Sequence, residues 1–204
     1  MRRLLIAAIA VVATLTGNAH AAAMQYKIGD TIPAKLSFTD YHGKTHTIGE
    51  YRGHPLVLEW TNYGCPFTQK HYNSGNMPKL QKTYTAKGVT WVSVISSAPG
   101  SQGYLTTAEA PAAAKRMGFA GTTIALDPAG TLGRAFGAQT TPDMFIMDAN
   151  GTLVYRGAID SIPSFDPDDI AKADNYVADA LNALLAGKPV TVAETVSYGC
   201  SVKY

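Results

Sequence analysis

The sequence predicts an α/β fold: a three-layer α/β/α sandwich with a mixed central sheet and an N-terminal β extension. Three observations predict it. Apolar, β-branched runs at residues 55–61, 89–96 and 122–126 alternate with helical patterns, and such alternation builds a parallel core with helices on both faces. The runs at 143–148 and 152–157 flank Ala149-Asn150-Gly151, a hairpin signal that adds antiparallel strands. Candidate strands at 35–39 and 45–48 enclose the turn residues Asp40-Tyr41-His42-Gly43-Lys44, which gives the β lead-in.

Each element has a local reason. Residues 55–61 are apolar almost without break, as befits a central strand buried on both faces. A helix follows over 66–86, with Asn73-Ser74-Gly75-Asn76 expected to kink or interrupt it. Residues 89–96 (Val-Thr-Trp-Val-Ser-Val-Ile-Ser) are rich in strand formers, and 98–104 form a Gly/Ser loop. The next helix spans 106–117, with Thr107 as N-cap and Glu109 in its first turn. A short helix is expected at 129–136. A loop holding Pro163, Asp166, Pro167, Asp168 and Asp169 precedes a helix over 171–185, and 190–204 reads as irregular.

The start of the chain reads as an export signal. Arg2 and Arg3 precede an apolar stretch at 4–15, and Ala19-His20-Ala21 has the small-x-small cleavage pattern. That stretch is shorter than the roughly 20 residues needed to span a bilayer, so no stable membrane insertion is expected. Cleavage there would divide the chain into a signal peptide, 1–21, and one domain, 22–204, of 204 − 21 = 183 residues. Loss of Arg2 and Arg3 takes the 17 basic residues to 15, equal to the 15 acidic ones. A neutral mature chain lacks the concentrated positive charge that nucleic acid or an anionic membrane demands. The expected location is periplasmic or secreted.

Outside the cytosol paired thiols tend to oxidise, and Cys65 and Cys200 are the only 2 cysteines. They could form a structural staple for the C-terminal segment. Alternatively Cys65 is reactive and Cys200 resolves it. Cys65 follows the core strand and precedes Pro66 at the start of a helical pattern. Unpaired N–H groups and the positive end of the helix dipole favour thiolate there, and proline suits a first turn that needs no N–H. Thr68, one turn in, is placed to donate its hydroxyl to that thiolate. Tyr63 and Phe67 flank the sulfur and could shape a substrate surface, whereas Trp60 reads as core. Glu59, on a buried strand, would have its pKa raised by desolvation and could relay protons, unless it pairs with a lysine or reaches water. Gly199 beside Cys200 suits a sulfur that must approach and leave another.

Several pieces together carry a family resemblance: Ile28-Gly29-Asp30-Thr31-Ile32-Pro33, Asp40–Lys44, the stretch 56–70, Thr141-Pro142-Asp143, Asn150-Gly151, Tyr155-Arg156-Gly157-Ala158-Ile159-Asp160 and Gly199-Cys200-Ser201-Val202-Lys203-Tyr204. On these the chain resembles the redoxin superfamily of thioredoxin-like folds. It is most similar to the exported peroxiredoxin-like branch, the alkyl hydroperoxide reductase/thiol-specific antioxidant type. The resemblance implies a thiol oxidoreductase without a cofactor. Cys65 would be its nucleophile, Cys200 its resolving sulfur, and Glu59 would stand where thioredoxins keep a buried acid. It implies a cis Pro142 facing Cys65, with Thr141 and Pro142 contacting substrate backbone. The implied partners are a protein or small-molecule thiol or disulfide, a hydroperoxide, and an external thiol reductant.

The chain departs from the family at the sulfur itself. Cys65-Pro66-Phe67-Thr68 holds one thiol where a dithiol Cys-x-x-Cys would hold two. In the peroxidase pattern Pro-x-x-x-Thr-x-x-Cys, the sulfur would stand at Thr68, the threonine at Cys65 and the proline at Thr61. Two other readings stay open: a non-enzymatic binding protein stapled by Cys65–Cys200, and a copper carrier, which His71 and His54 invite. His71, six positions past Cys65, falls off its helical face, and no second cysteine lies near, so no metal site is assigned. Asp166–Asp169 lacks the calcium-loop pattern and reads as a solvated loop.

Overall fold

A computed structural model describes residues 25–204. The predicted signal peptide, 1–21, lies outside the described residues. β3 (Leu56–Trp60) runs parallel to β4 (Thr90–Ile95), and β4 runs parallel to β5 (Thr123–Leu126). β7 (Asp143–Met147) pairs antiparallel with β3, and β8 (Leu153–Gly157) continues as its hairpin partner. The lead-in strands β1 (Ser37–Asp40) and β2 (Thr45–Thr47) attach antiparallel to the far edge through β5. The resulting order is β2-β1-β5-β4-β3-β7-β8, a mixed seven-stranded sheet of thioredoxin-like type.

Period-2 alternation sends β3 side chains to two different cores. Leu56, Leu58 and Trp60 pack with Val92, Val94, Phe136 and Phe145 on one face. Val57 packs with Tyr72, Met77, Tyr84, Trp91 and Leu181 on the other. Helix α4 (Thr131–Phe136) covers the first face, and α1 (Pro66–Asn73), α2 (Asn76–Thr85) and α5 (Tyr176–Leu185) cover the second. Both faces of β3 are thus buried, which explains its apolar character apart from Glu59.

The helices depart from expectation at their ends. The predicted 66–86 helix is two, divided at Ser74-Gly75, where Gly75 takes a left-handed φ of 77° that carries no Cβ penalty. Helix α3 (Ala110–Met117) starts later than residue 106. Its lead-in is closed by Thr106 rather than Thr107: the Thr106 N–H donates to Glu109 Oε2 (3.0 Å) and the Glu109 N–H to Thr106 Oγ1 (3.3 Å). Helix α5 begins at Tyr176 and not at 171, because Asn175 Oδ1 caps it by accepting from the Ala178 N–H (2.8 Å). The segment expected to be irregular also holds a strand. β9 (Cys200–Ser201) pairs antiparallel with β6 (Thr140–Thr141).

Leu58, fully buried at the sheet centre, is the position where lost volume should matter most. Leu58→Ala is expected to lower unfolding free energy by about 2–5 kcal/mol in urea denaturation. A loss below about 1 kcal/mol would mean that this core is loosely packed.

Candidate active site

The sheet delivers Cys65 through a tightly bonded turn. After β3, the Thr61 N–H still bonds to the Val94 carbonyl (2.9 Å). Asn62 then organises the bend: its carbonyl accepts from the Cys65 N–H (2.9 Å) and its Oδ1 from the Gly64 N–H (2.9 Å). Cys65 caps α1 with extended backbone, and Pro66 stands in the first turn. Cys65 is 0% exposed. What covers it is the chain itself.

The Thr141–Pro142 peptide bond is cis, and the Thr141 carbonyl stands 3.1 Å from the Cys65 sulfur. Thr141 is the register partner of Cys200 in the β6–β9 ladder, and the Cys200 sulfur lies 2.6 Å from that of Cys65. Two cysteines 135 positions apart in sequence therefore meet at one helix terminus. Gly199 earlier invited a reading of flexibility, but its role here is steric. At φ 141° it passes so close to Thr141 that a Cβ would collide with the Thr141 carbonyl oxygen.

The two thiols are set in opposite directions. Burial pushes the Cys65 thiol up, but the Cys200 thiol and the Thr68 backbone N–H favour its charged form, and the net shift is downward. Cys200 moves up, to about 11, through burial and through the hydrogen bond and charge of Cys65. Of the two thiols, Cys65 is the one that ionises more readily. Thr68 contributes differently from expectation. Its hydroxyl is buried without a hydrogen-bond partner, and its main chain is what favours the thiolate.

Glu59 is fully buried and meets neither a lysine nor water-facing surface. Its Oε1 accepts from the Tyr72 hydroxyl (2.8 Å), and its Oε2 from Trp91 Nε1 (2.8 Å), Ser93 Oγ (2.8 Å) and Gln81 Nε2 (2.9 Å). Burial nevertheless raises its pKa. Among the described residues no hydrogen bond joins it to Cys65. Tyr63 leans inward, its ring edge-on to Tyr72 (5.4 Å), with a buried hydroxyl that has no partner. Phe67 is half-buried between Phe165 (6.0 Å) and Tyr198 (5.9 Å). Trp60 is core.

Sequence reasoning assigned no role to two buried carboxyl groups, Asp143 and Asp160. Asp143, directly after Pro142, accepts from the Gln139 N–H (3.0 Å), and burial pushes its carboxyl up to about 7. Asp160 lies 3.7 Å from Lys70 and 3.8 Å from His71 of α1, and bonds the Tyr198 hydroxyl two residues before Cys200. Burial drives His71 down to about 4, leaving it neutral. The Tyr155–Asp160 stretch was visible as a motif, but nothing in it pointed to Lys70. Among the described residues no three His, Cys, Asp or Glu side chains gather as a metal site. Asp166 caps a short 3₁₀ turn, its side chain accepting from the Asp168 N–H (2.9 Å).

The redoxin family matches residues 27–177, most of the chain. The chain belongs to the redoxin family. Among solved structures this redoxin is similar to a hypothetical protein of Sinorhizobium meliloti 1021, with 24% identity over 88% of this chain and 96% of that one, TM-score 0.71. An uncharacterized conserved protein of Geobacillus kaustophilus gives 24% identity over 88% and 93%, TM-score 0.69. A candidate thiol:disulfide interchange protein DsbE of Chlorobium tepidum gives 25% identity over 64% and 84%, TM-score 0.50. No curated protein matches.

Two measurements follow from the electrostatics. Removing the Cys200 donor in Cys200→Ala should raise the midpoint of Cys65 ionisation, followed by ultraviolet thiolate absorbance; an unmoved midpoint would mean that Cys200 does not stabilise the thiolate. For Glu59 the folded-state pKa lies above its ordinary 4.5, so the folded protein holds that proton more tightly. Its contribution is present below 4.5 and declines as pH rises toward the folded pKa. Urea midpoints should therefore fall with rising pH through this window in the wild type and stay flatter in Glu59→Gln. Parallel curves would refute the assignment.

Proposed function

We propose that the protein is an exported thiol–disulfide oxidoreductase in which Cys65 is the nucleophile and Cys200 the resolving thiol. The single observation that carries this reading is the 2.6 Å approach of two sulfurs with oppositely shifted acidities at the start of α1. The likeness to the Chlorobium tepidum protein supports it. No described helix is long and apolar enough to cross a membrane.

In the reductive direction the Cys65 thiolate attacks one sulfur of a substrate disulfide, forming a mixed disulfide and releasing one substrate thiolate. Cys200 loses its proton and attacks the Cys65 sulfur, forming Cys65–Cys200 and releasing the second thiolate. The substrate gains two electrons and the protein loses them; an external thiol reductant returns them. Thr141 and Pro142 would meet substrate backbone, and a cavity of about 330 Å³ on α1, lined by Pro66, Gln69, Lys70 and Phe165, offers a place for the rest of a partner. Glu59, whose carboxyl is bonded by Tyr72, Gln81, Trp91 and Ser93, has no hydrogen-bonded path to either sulfur among the described residues and holds no step in this scheme.

The full burial of Cys65 favours a second reading, a permanent structural staple. Dithiothreitol-driven insulin reduction separates the two. The wild type should accelerate it and Cys65→Ser should not; in a separate sample without dithiothreitol, Cys200→Ser treated with glutathione disulfide should keep a glutathione on Cys65, one glutathione thiol leaving, by non-reducing mass spectrometry. A Cys65–Cys200 bond with a potential below about −300 mV and no acceleration would establish the staple instead. Stoichiometric hydrogen peroxide in a parallel sample should oxidise the pair if the activity extends to hydroperoxides.

A further inference from the structure

Cys200 is held between two aromatic anchors. Upstream, Tyr198 bonds Asp160 and packs against Phe67. Downstream, the Val202 N–H donates to the Gln139 carbonyl (3.0 Å), and the Lys203 carbonyl accepts from the Ala98 N–H (2.7 Å). Tyr204 completes that side. Its hydroxyl donates to the Ala138 carbonyl (2.8 Å), and the Arg134 guanidinium stands 4.5 Å from its ring centroid.

The seat for this ring is cut into α4 and its cap. A Cβ on Gly133 would come within 2.5 Å of the Tyr204 hydroxyl oxygen, and one on Gly130 would collide with the ring. Glycine inside a helix is unfavourable relative to alanine by roughly 0.5–1 kcal/mol. Gly133 sits inside the six-residue α4 all the same, and the ring occupies the space that its missing side chain leaves. The chemistry proposed above does not use Tyr204, which makes no hydrogen bond to either sulfur.

We propose that Tyr204 is a positioning residue: seated against Gly130 and Gly133, it holds Cys200 at Cys65 and keeps Cys65 closed to solvent. The inference rests on the two-cysteine reading. A seated ring confines the Cys200 sulfur, so disulfide closure has a high effective concentration. While the ring is seated Cys200 stays against Cys65, and an incoming partner has to displace it. Tyr204 thereby sets both the stability of the Cys65–Cys200 bond and the accessibility of Cys65, without touching either sulfur.

The test equilibrates the whole protein with glutathione. Two glutathione thiols reduce Cys65–Cys200 to two thiols and leave as one glutathione disulfide, through a mixed disulfide that the second glutathione resolves. Tyr204→Ala should shift this equilibrium at least tenfold toward the dithiol, about 30 mV for a two-electron couple. In the reduced protein it should also speed alkylation of Cys65 by a maleimide at least tenfold. Gly133→Ala, which favours the helix but fills the seat, should move both readouts the same way. Tyr204→Phe keeps the ring and should stay near wild type. Melting temperatures report whether each variant holds its fold, and Tyr204→Ala decides if Gly133→Ala does not. Unchanged equilibrium and alkylation in Tyr204→Ala would overturn the inference and leave the two-cysteine reading standing. A wild type that forms no Cys65–Cys200 bond under glutathione disulfide would overturn both.

Discussion

The main-chain pairing of Thr141 with Cys200 is the constraint on which the rest of the site depends. It brings a segment from the end of the sequence onto the loop that faces the start of α1, and only then do the sulfurs meet. The sheet fixes Thr141 through β7 and Cys65 through β3, which are neighbours in the ladder. A two-residue ladder is short, and its register rests on contacts around it: the steric fit at Gly199 and the bonds of Val202 and Lys203.

A second sulfur delivered from 135 positions away differs physically from one three residues along a helix. In a Cys-x-x-Cys site the helix itself keeps both sulfurs together. Here nearly the whole domain must be folded before the pair exists, and closing so long a loop carries a larger entropic term than a local bridge. Fold integrity and redox state are therefore coupled more tightly than in a local dithiol. The opposed acidities follow from the same geometry, since each sulfur is the other's partner and the Thr68 backbone N–H adds its help to Cys65.

Much of this was legible in the chain. The β3 run, the hairpin at Asn150-Gly151 and the Cys65-Pro66 junction each carry a local signal, and each holds its expected place in the sheet or at a helix start. What escaped reading was non-local. Residues 190–204 have no periodicity because their order comes from partners such as Thr140, Ala98 and Arg156. Lys70 and Asp160 are 90 positions apart, and no spacing rule joins them. The Thr68 hydroxyl was a reasonable donor by position, yet it is buried without a hydrogen-bond partner.

Glu59 draws donors from α1, α2 and β4 onto one carboxyl group. Gln81 also donates to the Tyr72 hydroxyl (3.0 Å), so the group is a network, and removing the acid leaves its donors short of partners in a dry interior. Such a knot resists piecemeal drift. Within a lineage, Tyr72, Gln81, Trp91 and Ser93 should persist or be replaced as a set together with the acid they surround, and effects of altering them singly should fail to add.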